Sequence, residues 1–275
     1  MVLLTAPFDP SAARCADGLW APTLQAAAGA LALLSVGLGM EMLDIGPRGV
    51  GRAVASAAVH AGFLAIGWIV AVGGRPTWRG PALRLALVLL LASIASRFTA
   101  WGGLFYLLLP ILLFREGSQH AALRGIGLGL TAGLKPIAIG FSAGASLAVH
   151  LLISSSLTFG YSIRWGPLSQ YLTDVAYDVG ANGLTAEWFF RGALFSRWWQ
   201  RWEFWPAATL STTLAVGRYV LDPSLPTALE VRAGAVFYMS ILGFSACALR
   251  AWSGSLLPGY LATVGFFAVY RMLAQ

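Results

Sequence analysis

Glu187 and Arg191 stand four residues apart within a long apolar stretch, and a third ionisable residue, Arg218, stands within the next one. Charge inside an apolar span is costly, so it marks either a functional site or a structural pairing. Two residues four apart on a helix share one face, where a carboxylate and a guanidinium neutralise each other. Held there, Glu187 has two uses. It can act as a general base toward water, or it can close an internal ion pair that lets a polar helix face pack inside a bundle. Arg218, in Leu-Ala-Val-Gly-Arg-Tyr, needs a carboxylate, a carbonyl or water beside it, and Glu187 on the adjacent helix is its candidate partner. A cluster of these three charges suits a substrate carboxylate or a lipid headgroup.

Other residues with chemical potential make weaker patterns. His60, His120 and His150 are isolated, without His-x-x-x-His or Glu-x-x-His spacing. A zinc site using His60, His150 and Glu187 would need three distant stretches to converge. Cys15 and Cys247 have no CxxC spacing, which predicts neither a disulfide nor a thiolate metal site. Residues 125–133, Gly-Ile-Gly-Leu-Gly-Leu-Thr-Ala-Gly, loosely match a dinucleotide-binding glycine run. That run needs a preceding strand and an acidic partner downstream, and neither is present. Close-packing glycine at the entry to a membrane helix is the better reading. Trp198, Trp199, Trp202 and Trp205, with Arg197 and Arg201, fall between two apolar stretches and read as an interfacial aromatic belt rather than a base-stacking platform.

The elements that must position these residues are membrane helices. The chain of 275 residues is 58% hydrophobic and 11% charged, about half the charge of a soluble domain. At roughly 20 residues per span, seven or eight helices and short loops use the whole length, leaving no stretch for a separate soluble domain. Apolar segments fall at about 20–42, 53–73, 81–96, 99–114, 136–156, 181–200, 204–221, 232–249 and 254–272. The stretch 81–114 is too long for one span, and Arg97 with Gly102-Gly103 marks its break.

Basic residues fall in groups between the spans: Arg75, Arg79 and Arg84; Arg115, Arg124 and Lys135; Arg197 and Arg201; and Arg250. This explains the net charge of +7 as a topology signal and argues against nucleic acid as a partner. Placing all four groups in the cytoplasm requires the break and sets the N-terminus inside. The loop 157–180, with Asp174 and Asp178, then faces out, and the Glu187 motif lies in the extracytoplasmic half. Residues 1–19 form a tail without the layout of a removable signal peptide, so the first span is expected to direct insertion.

The block Ala186-Glu187-Trp188-Phe189-Phe190-Arg191-Gly192 resembles the Glu-Glu-x-x-Phe-Arg-Gly signature of the CPBP intramembrane metalloproteases. That family includes CAAX prenyl endopeptidases and bacteriocin-processing Abi proteins. Its Phe-x-x-x-His motif falls at Leu214-Ala-Val-Gly-Arg218. Its Gly-Ser-Leu-x-x-Pro lead-in falls at Gly254-Ser255-Leu256-Leu257-Pro258, and Tyr238–Phe244 resembles its penultimate helix. The resemblance covers about 120–275 and implies an all-α, polytopic transmembrane helical bundle of about eight spans. Residues 1–275 would form one integral membrane domain.

The family chemistry calls for a glutamate, two histidines and an asparagine. Here the first glutamate position is Ala186, the first histidine Arg218, the second Ala262 or Thr263, and the asparagine Phe266 or Phe267. No histidine follows His150, and Asn182 is the single asparagine of the chain. Glu187 and Arg191 are the retained part of the catalytic motif, and Arg218 is the candidate binding residue.

Three functions follow from the resemblance. A homologue that has lost metalloprotease activity would act as a scaffold, binding or accessory protein, with no cofactor. An active intramembrane metalloendopeptidase with a diverged site would use Glu187 as base and require zinc. A structural subunit would reuse the fold within a larger complex. The expected partners are membrane lipids, another membrane protein or a C-terminal membrane-anchored peptide. The resemblance implies residence in a bacterial inner membrane.

Overall fold

The apolar runs become helices, and their ends fall where glycine, proline or charge interrupts the run. The computed structural model describes residues 19–72, 79–99, 101–119, 123, 125–128, 132–162, 166–221 and 228–272. The first helices are α1 (Trp20–Met42), α2 (Val50–Val72) and α3 (Arg79–Phe98). A 3-10 turn (Gly102–Leu107) leads into α4 (Leu108–Gln119), and α5 is Leu134–Phe159. Helix α6 is continuous but mixed. It runs as α-helix over Leu168–Tyr177, π-helix over Asp178–Gly183, α-helix over Leu184–Ala186, π-helix over Glu187–Phe195 and α-helix over Ser196–Trp199. Helices α7 (Phe204–Val220), α8 (Leu229–Ser253) and α9 (Leu257–Tyr270) follow.

Among the described residues, α1, α2, α3, α5 and α8 are long and apolar enough to cross a membrane, and α9 is a shorter apolar helix. The chain is an all-helical membrane bundle. The expected break after Arg97 is present, since α3 stops at Phe98 and the 3-10 turn starts at Gly102. The segment expected to be a loop at 157–180 is instead largely helical. Helix α5 continues to Phe159 and α6 starts at Leu168, thirteen residues before the apolar run suggests. Leu168–Tyr177 is amphipathic, so its polar residues masked a helix that packs one side against the 3-10 turn: a Cβ on Gly103 would strike Thr173. His120, Cys15, Arg75 and Arg124 lie outside the described residues.

Small residues bring the helices to backbone contact, as in other membrane bundles. Gly140 and Gly144 of α5 lie against the carbonyl oxygens of Pro258 and Ala262 of α9, where a Cβ could not fit. Gly37 and Gly51 do the same for α1 and α2. Helix α8 ends in a left-handed Gly254 at φ 70°, a conformation that favours glycine, and the chain turns there into α9.

The basic groups converge on one end of the bundle. Arg84 at the start of α3 pairs with Glu116 at the end of α4 at 2.7 Å. Arg250 at the end of α8 donates to the Gly125 carbonyl, and Leu256 N–H at the start of α9 donates to that of Gly127. Gly192, near the end of α6, lies against Leu256. Arg197 and Arg201 sit just beyond, beside the tryptophan cluster, where Trp198 and Trp202 stack with centroids 6.1 Å apart. The glycine run supplies part of this end. Gly127, at φ 97°, lies against the Arg250 guanidinium, a packing role rather than a nucleotide-binding one.

Candidate functional site

Helix α6 passes through the centre of the bundle, antiparallel to α7 and α9 and parallel to α2. Its sequence explains the burial: small and apolar residues surround Asp178, Asn182, Thr185, Glu187 and Arg191, all of them buried. Trp188 anchors it to α2. The indole fills the space left by Gly67 and donates to the Leu64 carbonyl at 3.2 Å. The π-helical turns are a further mark of this segment, since such turns occur mostly as short bulges in α-helices and often at functional sites.

The structure brings Glu187 and Arg191 together as the four-residue spacing requires, with Arg191 Nε 3.9 Å from Glu187 Oε1. Both are almost fully buried, at 3% and 4% exposure. Thr263 of α9 donates to Glu187 Oε1 at 3.0 Å. Glu187 Oε2, Arg191 Nε and Thr212 Oγ1 have no hydrogen-bond partner among the described residues. Gly243 of α8 makes room for the guanidinium, since a Cβ there would strike Arg191 Nη2 and Thr212. A cavity of about 10 Å³ adjoins the pair, lined in part by Ala186, Ala215, Tyr219, Met239 and Thr263. That is room for about one water molecule.

The cavity also fixes the register of the family motifs. On α9 the residue facing Glu187 is Thr263, not Ala262. On α7 the cavity is lined by Ala215, Val216 and Tyr219; the polar one, Tyr219, lies one position beyond the Arg218 that the Phe-x-x-x-His spacing selects. The His-x-x-x-Asn spacing counted from Thr263 reaches Phe267, which lies beside Tyr219 with ring centroids 6.0 Å apart.

Arg218 therefore does not join Glu187. It turns to the other side of α6 and donates to Asn182 Oδ1 at 3.0 Å. Its guanidinium carbon stands 5.5 Å from the Phe63 ring and 5.2 Å from the Tyr219 ring. Asn182 donates onward to Asp178 at 3.1 Å, and Asp178 is held by both nitrogens of an Arg271 fork. The sequence placed Glu187 and Arg218 together because both are charged and on adjacent helices. The face of α7 that Arg218 occupies points elsewhere.

The histidines belong to separate structures. His60 Nδ1 lies 2.8 Å from Thr185 Oγ1 and Nε2 lies 3.0 Å from the Tyr177 hydroxyl. Thr185 already donates to the Ala181 carbonyl, so the imidazole N–H donates to Thr185. His150 pairs with Tyr238 on the outer side of α5, at 2.8 Å. Among the described residues no three His, Cys, Asp or Glu side chains come together.

A zinc ion does not fit the Glu187 pocket. The pocket offers one carboxylate and two hydroxyls where a catalytic zinc needs three nitrogen, sulfur or carboxylate ligands.

The site is thus buried charge on a mixed π/α helix within a membrane bundle, faced by residues of α7, α8 and α9. Residues 167–266 match the family model described as Type II CAAX prenyl endopeptidase Rce1-like, and over that segment the chain is CAAX-protease-like. No curated protein and no solved structure matches it. The matched segment starts at the head of α6 and ends in α9. It holds Ala186, Glu187, Arg191, Arg218, Tyr219 and Thr263 and is shorter than the resemblance read from 120 onward.

Thr212 and the Asn182–Asp178–Arg271 chain escaped the sequence reading. Asp178 and Asn182 are four apart and so share a helix face, but Asp178 falls in the stretch that reads as a loop and Asn182 in the apolar segment after it.

Proposed function

We propose that this CAAX-protease-like membrane protein no longer carries out metal-dependent hydrolysis and serves as a scaffold, binding or accessory protein in the membrane. The observation that carries the reading is the closure of the Glu187 pocket. One carboxylate oxygen is taken by Thr263, a guanidinium lies beside the other partner positions, and the adjoining space holds about one water rather than a peptide. Where the family has a second glutamate, two histidines and an asparagine, this chain has Ala186, Tyr219, Thr263 and Phe267, none of which ligates zinc well. Glu187 and Arg191 then act as a clamp joining α6 to α8 and α9.

The test is metal content of the detergent-purified protein, followed by incubation with a C-terminal membrane-anchored peptide. Metal-free protein that leaves the peptide intact supports the proposal. Stoichiometric zinc, or cleavage lost in Glu187→Gln, would overturn it and favour the active enzyme.

A further inference from the structure

We propose that Arg218 and the apolar trough beside it bind an anionic phospholipid, one per chain. Around α6, Glu187 is matched by Arg191 and Asp178 by Arg271, so each of those pairs is neutral. Arg218 has no carboxylate partner among the described residues, and its one hydrogen bond there goes to a neutral amide, Asn182. A guanidinium has five donors, and its flat fork takes two phosphate oxygens at once. The Phe63 and Tyr219 rings lie beside the guanidinium, while Asn182, itself fixed by Asp178, accepts from it. The arrangement fixes a half-buried cation without neutralising it, and in a membrane such a charge calls for an anion.

The apolar part of the site lies next to it. Helices α2 and α7 do not pack along each other; α6 lies between them and floors the gap. Phe63 packs on Phe189 of that floor, with centroids 4.9 Å apart. Leu214, one turn before Arg218 on the same face of α7, is exposed. Phe63, Phe189 and Leu214 thus continue from the guanidinium toward the middle of the bundle, the direction an acyl chain takes below its headgroup. Phe63 and Phe189 are half-buried and Leu214 is exposed, so apolar surface continues beside the guanidinium, which favours a lipid over a free anion that has no use for it. The site is separate from the Glu187 pocket, so its test stands apart from that of the enzyme.

Native mass spectrometry of the full chain measures retention of phosphatidylglycerol against phosphatidylcholine. The wild type should favour phosphatidylglycerol by about tenfold, the value of one charge-assisted contact. Arg218→Gln should remove the preference. Leu214→Glu should remove it too while keeping Arg218 and the fold, because it supplies an internal carboxylate four residues before the guanidinium. Arg197→Gln with Arg201→Gln should leave it unchanged. Equal retention of both lipids by the wild type, or an unchanged preference in Arg218→Gln, overturns the proposal. So does full displacement of phosphatidylglycerol by equimolar inorganic phosphate, which assigns the site to a free anion, or by equimolar palmitate alone, which assigns it to a carboxylate. Asp222, four residues on, lies outside the described residues. A preference that arises only in Asp222→Asn assigns Arg218 to that carboxylate and likewise overturns the proposal.

Discussion

Breaking the Glu187–Arg191 pair one side at a time separates a clamp from a catalytic base. At 3.9 Å, and with an effective dielectric of 20, the attraction is about 4 kcal/mol. Each single change also leaves the other charge buried and unpaired, a loss of about 3–5 kcal/mol for pairs of this kind. Glu187→Gln and Arg191→Met should therefore each lower the free energy of unfolding by about 3–5 kcal/mol. The double variant removes both charges and should lose far less than the sum, leaving a coupling of about 3 kcal/mol or more. Unfolding in a mixed-micelle denaturant titration, followed by tryptophan fluorescence, reads all four corners of the cycle. Glu187→Gln as stable as the wild type, or two single losses that simply add, would refute the clamp.

Gly144→Ala should destabilise by about 1–3 kcal/mol because its Cβ falls on the Ala262 carbonyl, whereas Gly39→Ala meets open space and should gain roughly 0.5–1 kcal/mol; thermal unfolding of the two variants checks the contrast. The motif register predicts that Ala186→Glu with Tyr219→His and Thr263→His takes up one zinc per chain by metal analysis. The same set with Arg218→His in place of Tyr219→His should take up none. Single cysteines replacing Arg84 or Arg201 should react with an impermeant maleimide from the cytoplasmic side alone, and one replacing Asp174 from the opposite side alone. Labelling of all three from one side would contradict that arrangement.

The membrane character, the helix-breaking Gly102-Gly103 and the Glu187–Arg191 contact were all legible in the residues. Each depends on local spacing or on a strong composition signal. What composition could not reveal was the phase of the helices. Arg218 was the residue the motif selects because a motif counts residues, while burial depends on which side of α7 faces α6. Thr263 was one of two candidates until α9 was seen against Glu187. The start of α6 at Leu168 was hidden because an amphipathic helix with Gln170 and Asp174 on its outer side has the local polarity of a loop. Asp178, Asn182 and Arg271 form a buried chain across elements 93 residues apart, and no local pattern announces such a partnership.

The two π-helical stretches of α6 set the rotational phase of the whole site. A π-turn carries more residues than an α-turn over the same hydrogen-bonded step, so each stretch behaves as an insertion absorbed without breaking the helix. A residue lost from Asp178–Gly183 would let the turn relax to regular α-helix while the helix beyond kept its phase. One residue added to the α-helical stretch Leu184–Ala186 would instead swing everything after it by about 100°. Glu187 would leave Thr263, Arg191 would leave the space at Gly243, and Trp188 would leave its notch at Gly67. The site is thus timed by residue number as much as by residue type.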